Sequence, residues 1–235
     1  MGRVAGGELV SAYGSVGWDG IGVLRIRYDG AGLDALNCSL RGRLGERVVP
    51  VEAVQSVEVS DSGFRLVLRD GSDPLQAVTG ADVLLDPYDF PAVDPVLADE
   101  IAGHIRRTLV RRDVPATAST AWLVAPPAAA DRIEGRDATL TVANGQLTFA
   151  YQRGVGRKKR ALGDPWSVQL GDIIDVQWAP YQGGLGGSGF LRITTPGTPT
   201  ERPKPKHDPA TMRTERGTDI DALFFATRLL TRIRP

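Results

Sequence analysis

Apolar and polar residues alternate in short runs through most of this chain, and each run ends at turn-forming residues. "GSVGWDGIGVLRIRY" reads as strand, Asp19-Gly20 turn, strand, and "ATLTVANGQLTFAYQ" repeats the arrangement about Asn144-Gly145. Asp-Gly and Asn-Gly suit two-residue hairpin turns because both central positions take positive φ. Further on, "VPVEAVQSVEVS" and "VQLGDIIDVQWA" set Val49, Val51, Val54 and Val57 in step with Val168, Leu170, Ile173 and Val176. Phe64-Arg65-Leu66 then matches Leu191-Arg192-Ile193, each ahead of a glycine turn. The period of two predicts half-buried strands, and the recurrence predicts an internal repeat.

Each copy closes on a helical period. In the first, Asp94 is placed to cap a helix that begins at Pro95, carries Leu97, Ile101, Ile105 and Leu109 on one face, and ends in Arg106, Arg107 and Arg111. In the second, Thr218 stands at the cap with Asp221 three residues on, followed by Ile220, Leu223, Phe224, Leu230 and Ile233, with Arg228 and Arg232 late. Acids first and bases last complement the helix dipole. The pattern predicts a mainly β protein of two tandem domains, residues 1–112 and 113–235. Each is a partly open β-barrel or sandwich capped by one C-terminal helix, which buries its apolar stripe over the open end. The Ala- and Pro-rich stretch between them predicts a linker over about 111–135 that offers Trp122-Leu123-Val124 to a sheet.

The Trp18-Asp19-Gly20 hairpin, "VPVEAV", "FRLVLRDGSDPL", the terminal helix and above all "KHDPATMRTERG" together resemble an actinobacterial family, domain-of-unknown-function family 4429. That resemblance covers nearly the whole chain. It implies two tandem pleckstrin-homology-like domains and supplies no catalytic residue. An excess of Arg over Lys, 24 to 4, fits a high-GC genome.

Composition narrows the class. With 42% hydrophobic and 24% charged residues, the 235-residue chain is too apolar for a disordered one. No run approaches the roughly 20 apolar residues of a membrane span, and the first twenty residues predict no signal peptide. Cys38 is the single cysteine, so one chain makes no internal disulfide and no multi-cysteine zinc site. A cytoplasmic location is expected.

Motifs that could carry chemistry fail on context. "GLGGSG" (184–189) fits G-x-G-x-x-G, but it leads from strand into strand, whereas a dinucleotide fingerprint opens a helix. Ser188 is followed at the second glycine position of a nucleophile elbow by Phe190. His104 belongs to the first helix, and His207 sits in a turn near Lys204, Lys206 and Arg213; neither has a metal-ligand spacing with another histidine or cysteine. The Asp-Pro and Asp-Gly pairs are turns. The expectation is a non-catalytic chain without cofactor or metal.

One feature remains. "RGVGRKKRALGDPW" (153–166) is the dense run of positive charge in a chain of zero formal net charge, with Arg153, Arg157, Lys158, Lys159 and Arg160 at a hairpin turn. "SLRGRLGER" puts Arg41, Arg43 and Arg47 in a comparable loop of the first copy. Residues 1–112 hold 12 Lys+Arg against 16 Asp+Glu, and the remainder 16 against 12, so the second half is the better partner for an anion. The leading expectation is an adaptor or assembly protein whose partners are proteins or copies of itself. The alternative is peripheral attachment to anionic phospholipid through the 153–160 loop. Nucleic acid fits less well, since only Tyr151 and Trp166 border the run and none interleaves it.

Overall fold

The computed structural model describes residues 7–79, 85–181, 189–199, 201–215 and 217–234. The first alternating runs form β1 (Gly7–Ser11), β2 (Gly14–Trp18), β3 (Val23–Tyr28) and β4 (Glu46–Pro50), an antiparallel meander in that order. In β3 Leu24 and Ile26 face the core, while Arg25 and Arg27 face outward and reach Glu46 of β4 at 3.5 and 3.3 Å. Between β3 and β4 lies α1 (Ala35–Leu44), capped by the Asp34 carboxylate, which accepts from the Asn37 N–H at 2.8 Å. A one-turn 3-10 helix, Val51–Ala53, leads to the second sheet, β5 (Val54–Ser60) and β6 (Gly63–Leu68). The chain continues through α2 (Pro74–Ala77) to β7 (Asp89–Pro91), which pairs with β6, and ends the copy in α3 (Pro95–Arg111). Asp94 accepts from the Val96 and Leu97 N–H groups, as its position predicts. Ala98, Ile101, Ala102 and Ile105 of α3 close a core with Trp18, Leu24, Val57, Phe64 and Phe90.

The second copy repeats this order. β8 (Arg132–Glu134), β9 (Ala138–Ala143), β10 (Gln146–Tyr151) and β11 (Trp166–Gln169) form one meander, and the 3-10 turn Leu170–Asp172 follows. β12 (Asp175–Ala179), β13 (Gly189–Thr194) and β14 (Thr211–Thr214) form the next sheet, and α4 (Asp219–Ile233) ends the copy. Asn144 and Gly145, at φ 50° and 75°, make the two-residue turn between β9 and β10. The protein is mainly β, with four antiparallel sheets and no closed barrel among the described residues.

Several local expectations are corrected. Asp19-Gly20 is not a two-residue turn: β2 and β3 are joined over residues 19–22, and the Asp19 carboxylate gathers the N–H groups of Ile21, Gly22 and Val23. "SLRGRLGER" is largely helix α1 and not a loop. Thr218 stands at the α4 cap without a capping bond from its side chain; the buried Asp219 beside it accepts from Thr214 Oγ1 and the Tyr181 N–H. The "GLGGSG" stretch lies, up to Ser188, outside the described residues, and Gly189 opens β13.

By contacts the chain divides into unit 1, Met1–Asp73 with Leu85–Ala125, and unit 2, Pro74–Leu84 with Pro126–Pro235. This differs from a cut at residue 112 in two places. Residues 113–125 run along unit 1, where Arg69 Nε donates to the Thr117 carbonyl, Ser119 N to Asp70, and Leu123 and Val124 N to Ser72. Trp122-Leu123-Val124 therefore joins no strand; Val124 is instead buried in the unit 1 core. Residues 74–79 serve unit 2: α2 packs on α4, Leu75 and Val78 are buried, and the Trp178 N–H of β12 donates to the Val78 carbonyl at 2.9 Å.

Candidate functional site

The basic run occupies the connection from β10 to β11, and its members take different roles. Arg153, Arg157 and Lys158 are exposed. Lys159 is fully buried, with Nζ donating to the Pro205 carbonyl at 2.8 Å and to the Thr211 carbonyl, and lying 3.2 Å from Asp137 Oδ2. Asp137, itself buried, also accepts from the backbone N–H and Nε of Arg213, each at 2.8 Å. Burial pulls the Lys159 pKa below the ordinary lysine range, and Asp137 opposes that pull. Half-buried Arg160 turns back on its own loop, with Nε 3.1 Å from Asp164 and Nη2 donating to the Gln152 carbonyl.

Lys159 thus leaves the outward-facing set and fastens a second segment beside it. Its acceptor, Pro205, lies between Lys204 and Lys206, in a turn closed by the bond from the His207 N–H to the Lys204 carbonyl at 2.8 Å. All four lysines of the chain, 158, 159, 204 and 206, belong to these two segments. Lys158, Lys204, Lys206 and His207 are all exposed. The His207 pKa is lowered from the ordinary histidine value by partial desolvation and by Lys206, Lys158, Lys204 and Lys159 around it. Arg157, Lys158 and Arg160 also line one open depression with Val155 and Ala161. The surface is a concentration of mobile ammonium groups on a fixed base, suited to anionic groups without a set spacing.

Unit 1 holds no such surface at the corresponding residues. Arg41, only 2% exposed, lies over the Tyr13 ring at 4.6 Å and within 6 Å of the Tyr28 and Phe90 rings at 5.9 and 5.8 Å. Its Nη2 donates to the Asp86 and Asp89 carbonyls. Arg41 and Lys159 are therefore counterparts. Each comes from the connection between its unit's third and fourth strands, and each bonds backbone carbonyls near the start of the unit's last strand, β7 or β14. Arg47 is likewise buried, forked on Asp73 at 2.9 Å through both nitrogens, with Tyr88 Oη and the Ala125 carbonyl as further partners. Arg43 is exposed in the last turn of α1. Of the seven cations expected from sequence to meet a ligand, Arg41 and Lys159 are structural.

Asp137, Arg213 and the 204–207 turn escape a reading along the chain because their partners lie 46 to 76 residues away. The usable signal was the scarcity of lysine, which singles out both segments at once. Among the described residues no group of three or more His, Cys, Asp or Glu side chains is placed to hold a metal ion. Nor is any helix among them long and apolar enough to cross a membrane.

A protein of two repeated β units, one of them bearing a clustered cationic surface, is what fold and site define. The family described as domain of unknown function (DUF4429) matches residues 19–101 and 142–230, one stretch in each copy. The chain belongs to that family. No curated protein and no solved structure matches it.

Proposed function

We propose that this is a non-catalytic binding protein that attaches to anionic phospholipid head groups through the lysine cluster of unit 2. The observation that carries this reading is the convergence of all four lysines on two segments that the buried Lys159 ties together. Exposed Lys158, Lys204 and Lys206 with Arg153 and Arg157 reach the 4–8 cations at which an anionic membrane holds a segment, each contributing about 1 kcal/mol near the surface. The repeated order of four strands, three strands and a terminal helix supports taking each unit as pleckstrin-homology-like, and the excess of arginine elsewhere supports an actinobacterial origin. A cytoplasmic protein recruited to the inner membrane face accords with both.

Co-sedimentation with anionic and neutral vesicles across a salt series tests the proposal. Wild type is expected to bind only the anionic vesicles and to be released as salt rises. Reversal of Lys158, Lys204 and Lys206 to Glu, which spares the buried Lys159, is expected to abolish binding with folding unchanged. Absence of binding at low salt would return the reading to a protein adaptor or self-assembling subunit, for which light scattering and pull-downs are the measurements.

A further inference from the structure

A second concavity of unit 2 has a different chemistry from the lysine surface. It is a pocket of about 290 Å³, walled by Leu162 from the β10–β11 connection and by Pro196, Pro199, Pro203, Pro209 and Ala210 from the segment between β13 and β14. That size is near the lower end for small-molecule sites, about 300 Å³. Four prolines hold the wall with little conformational entropy to lose on binding.

The polar groups of this pocket are few and unbalanced. Asp208, 3% exposed, accepts through Oδ1 from the Ala210 N–H, and its Oδ2 lies 3.1 Å from Arg192 Nε and 3.2 Å from Arg202 Nη2. Two guanidinium groups thus share one carboxylate, leaving one positive charge in excess. Arg202 spends Nη2 on the Ile193 carbonyl and Nε on Asp208, while its Nη1 is buried and has no hydrogen-bond partner. A buried donor left unmade is costly, by about 1–3 kcal/mol. Thr195 and Thr198, also on the wall, share one hydrogen bond between hydroxyls at 3.2 Å, so one of their two hydroxyl protons stays available.

We infer that this pocket binds a small monocarboxylate with an apolar body, the carboxylate facing Arg202 and the Thr195–Thr198 pair and the body lying among the prolines and Leu162. One excess charge matches a monoanion. A phosphate dianion would overcompensate it. The chemistry is shared by a free aliphatic acid and by the C-terminal residue of a peptide. The inference does not rest on the lysine surface, and vesicle binding can fail without touching it.

The test is calorimetry and saturation-transfer NMR on the full chain with 4-methylpentanoate and N-acetyl-leucine, against 4-methyl-1-pentanol and N-acetyl-leucinamide as neutral counterparts. Either acid is expected to bind at least about tenfold more tightly than its neutral partner. Preference for 4-methylpentanoate would assign a free acid, and preference for N-acetyl-leucine a chain terminus. Arg202→Gln is expected to lose the preference for acid. Leu162→Glu, at a position 51% exposed and so harmless to folding, sets a carboxylate on the rim and is expected to weaken the acids about tenfold or more. Equal binding of acids and neutral partners, no binding of any probe at millimolar concentration, or an unaffected Leu162→Glu variant would overturn the inference.

Discussion

Lys158 and Lys159 are adjacent in sequence and opposite in burial. Lys159 supplies the only buried ammonium among the four lysines, and its removal would strand two carbonyls and leave Asp137 to Arg213 alone. Lys159→Ala is therefore expected to destabilise the protein by about 3 kcal/mol, the scale for breaking a buried pair, and to loosen the 204–207 turn. Lys158→Ala is expected to leave the urea midpoint unchanged and to weaken vesicle binding only. His207 adds a pH dependence. Partial desolvation and the cations around it hold its pKa below the ordinary histidine value in the free protein, and a bound anion would raise it, so binding takes up a proton. The sign follows: affinity for anionic vesicles is expected to rise as pH falls from 7.5 to 5.5, by up to about tenfold for each unit of that rise. His207→Gln should flatten the profile measured by co-sedimentation at fixed ionic strength.

At the scale of elements, the short segment 74–79 is more informative than its length suggests. It lies in sequence between strands β6 and β7 of unit 1, yet Leu75 and Val78 are 1% exposed within unit 2, and Val78 supplies the acceptor for the β12 edge at Trp178. Leu75→Ala is expected to cost about 2–5 kcal/mol and to act on one unit. Hydrogen exchange should quicken in α4 and β12 while β1–β4 keep their protection. Strand and helix positions were readable from apolar periodicity, since Leu24 and Ile26 alternate with arginines and Ile101 and Ile105 recur at helical spacing. α1 was not readable, because Leu36, Leu40 and Leu44 of "ALNCSLRGRL" make only a thin stripe and the helix buries the polar Asn37 and Arg41 beside Leu40. Nothing local in "PLQAVT" announces which unit it completes, for the answer lies in a strand a hundred residues later.

For the whole molecule, zero formal net charge means that no broad field draws an anion toward it. Any attraction has to come from local concentration, felt within a screening length of about 8 Å at physiological salt. The sequence total thus misleads and the distribution does not, as the surplus of acid in the first half and base in the second already indicates. That surplus pointed to the half of the chain, and the dense run to the loop, where the exposed lysines gather. It could not divide the run into surface and anchor, because carbonyls that bury a lysine leave no mark on the sequence beside it. The exchange of residues 74–79 bears finally on biosynthesis. The ribosome releases Leu75 and Val78 long before Asp219–Ile233, the helix that covers them. A nascent chain therefore carries two uncovered apolar side chains until the rest of unit 2 has been made, and that interval is when a holding chaperone would find it.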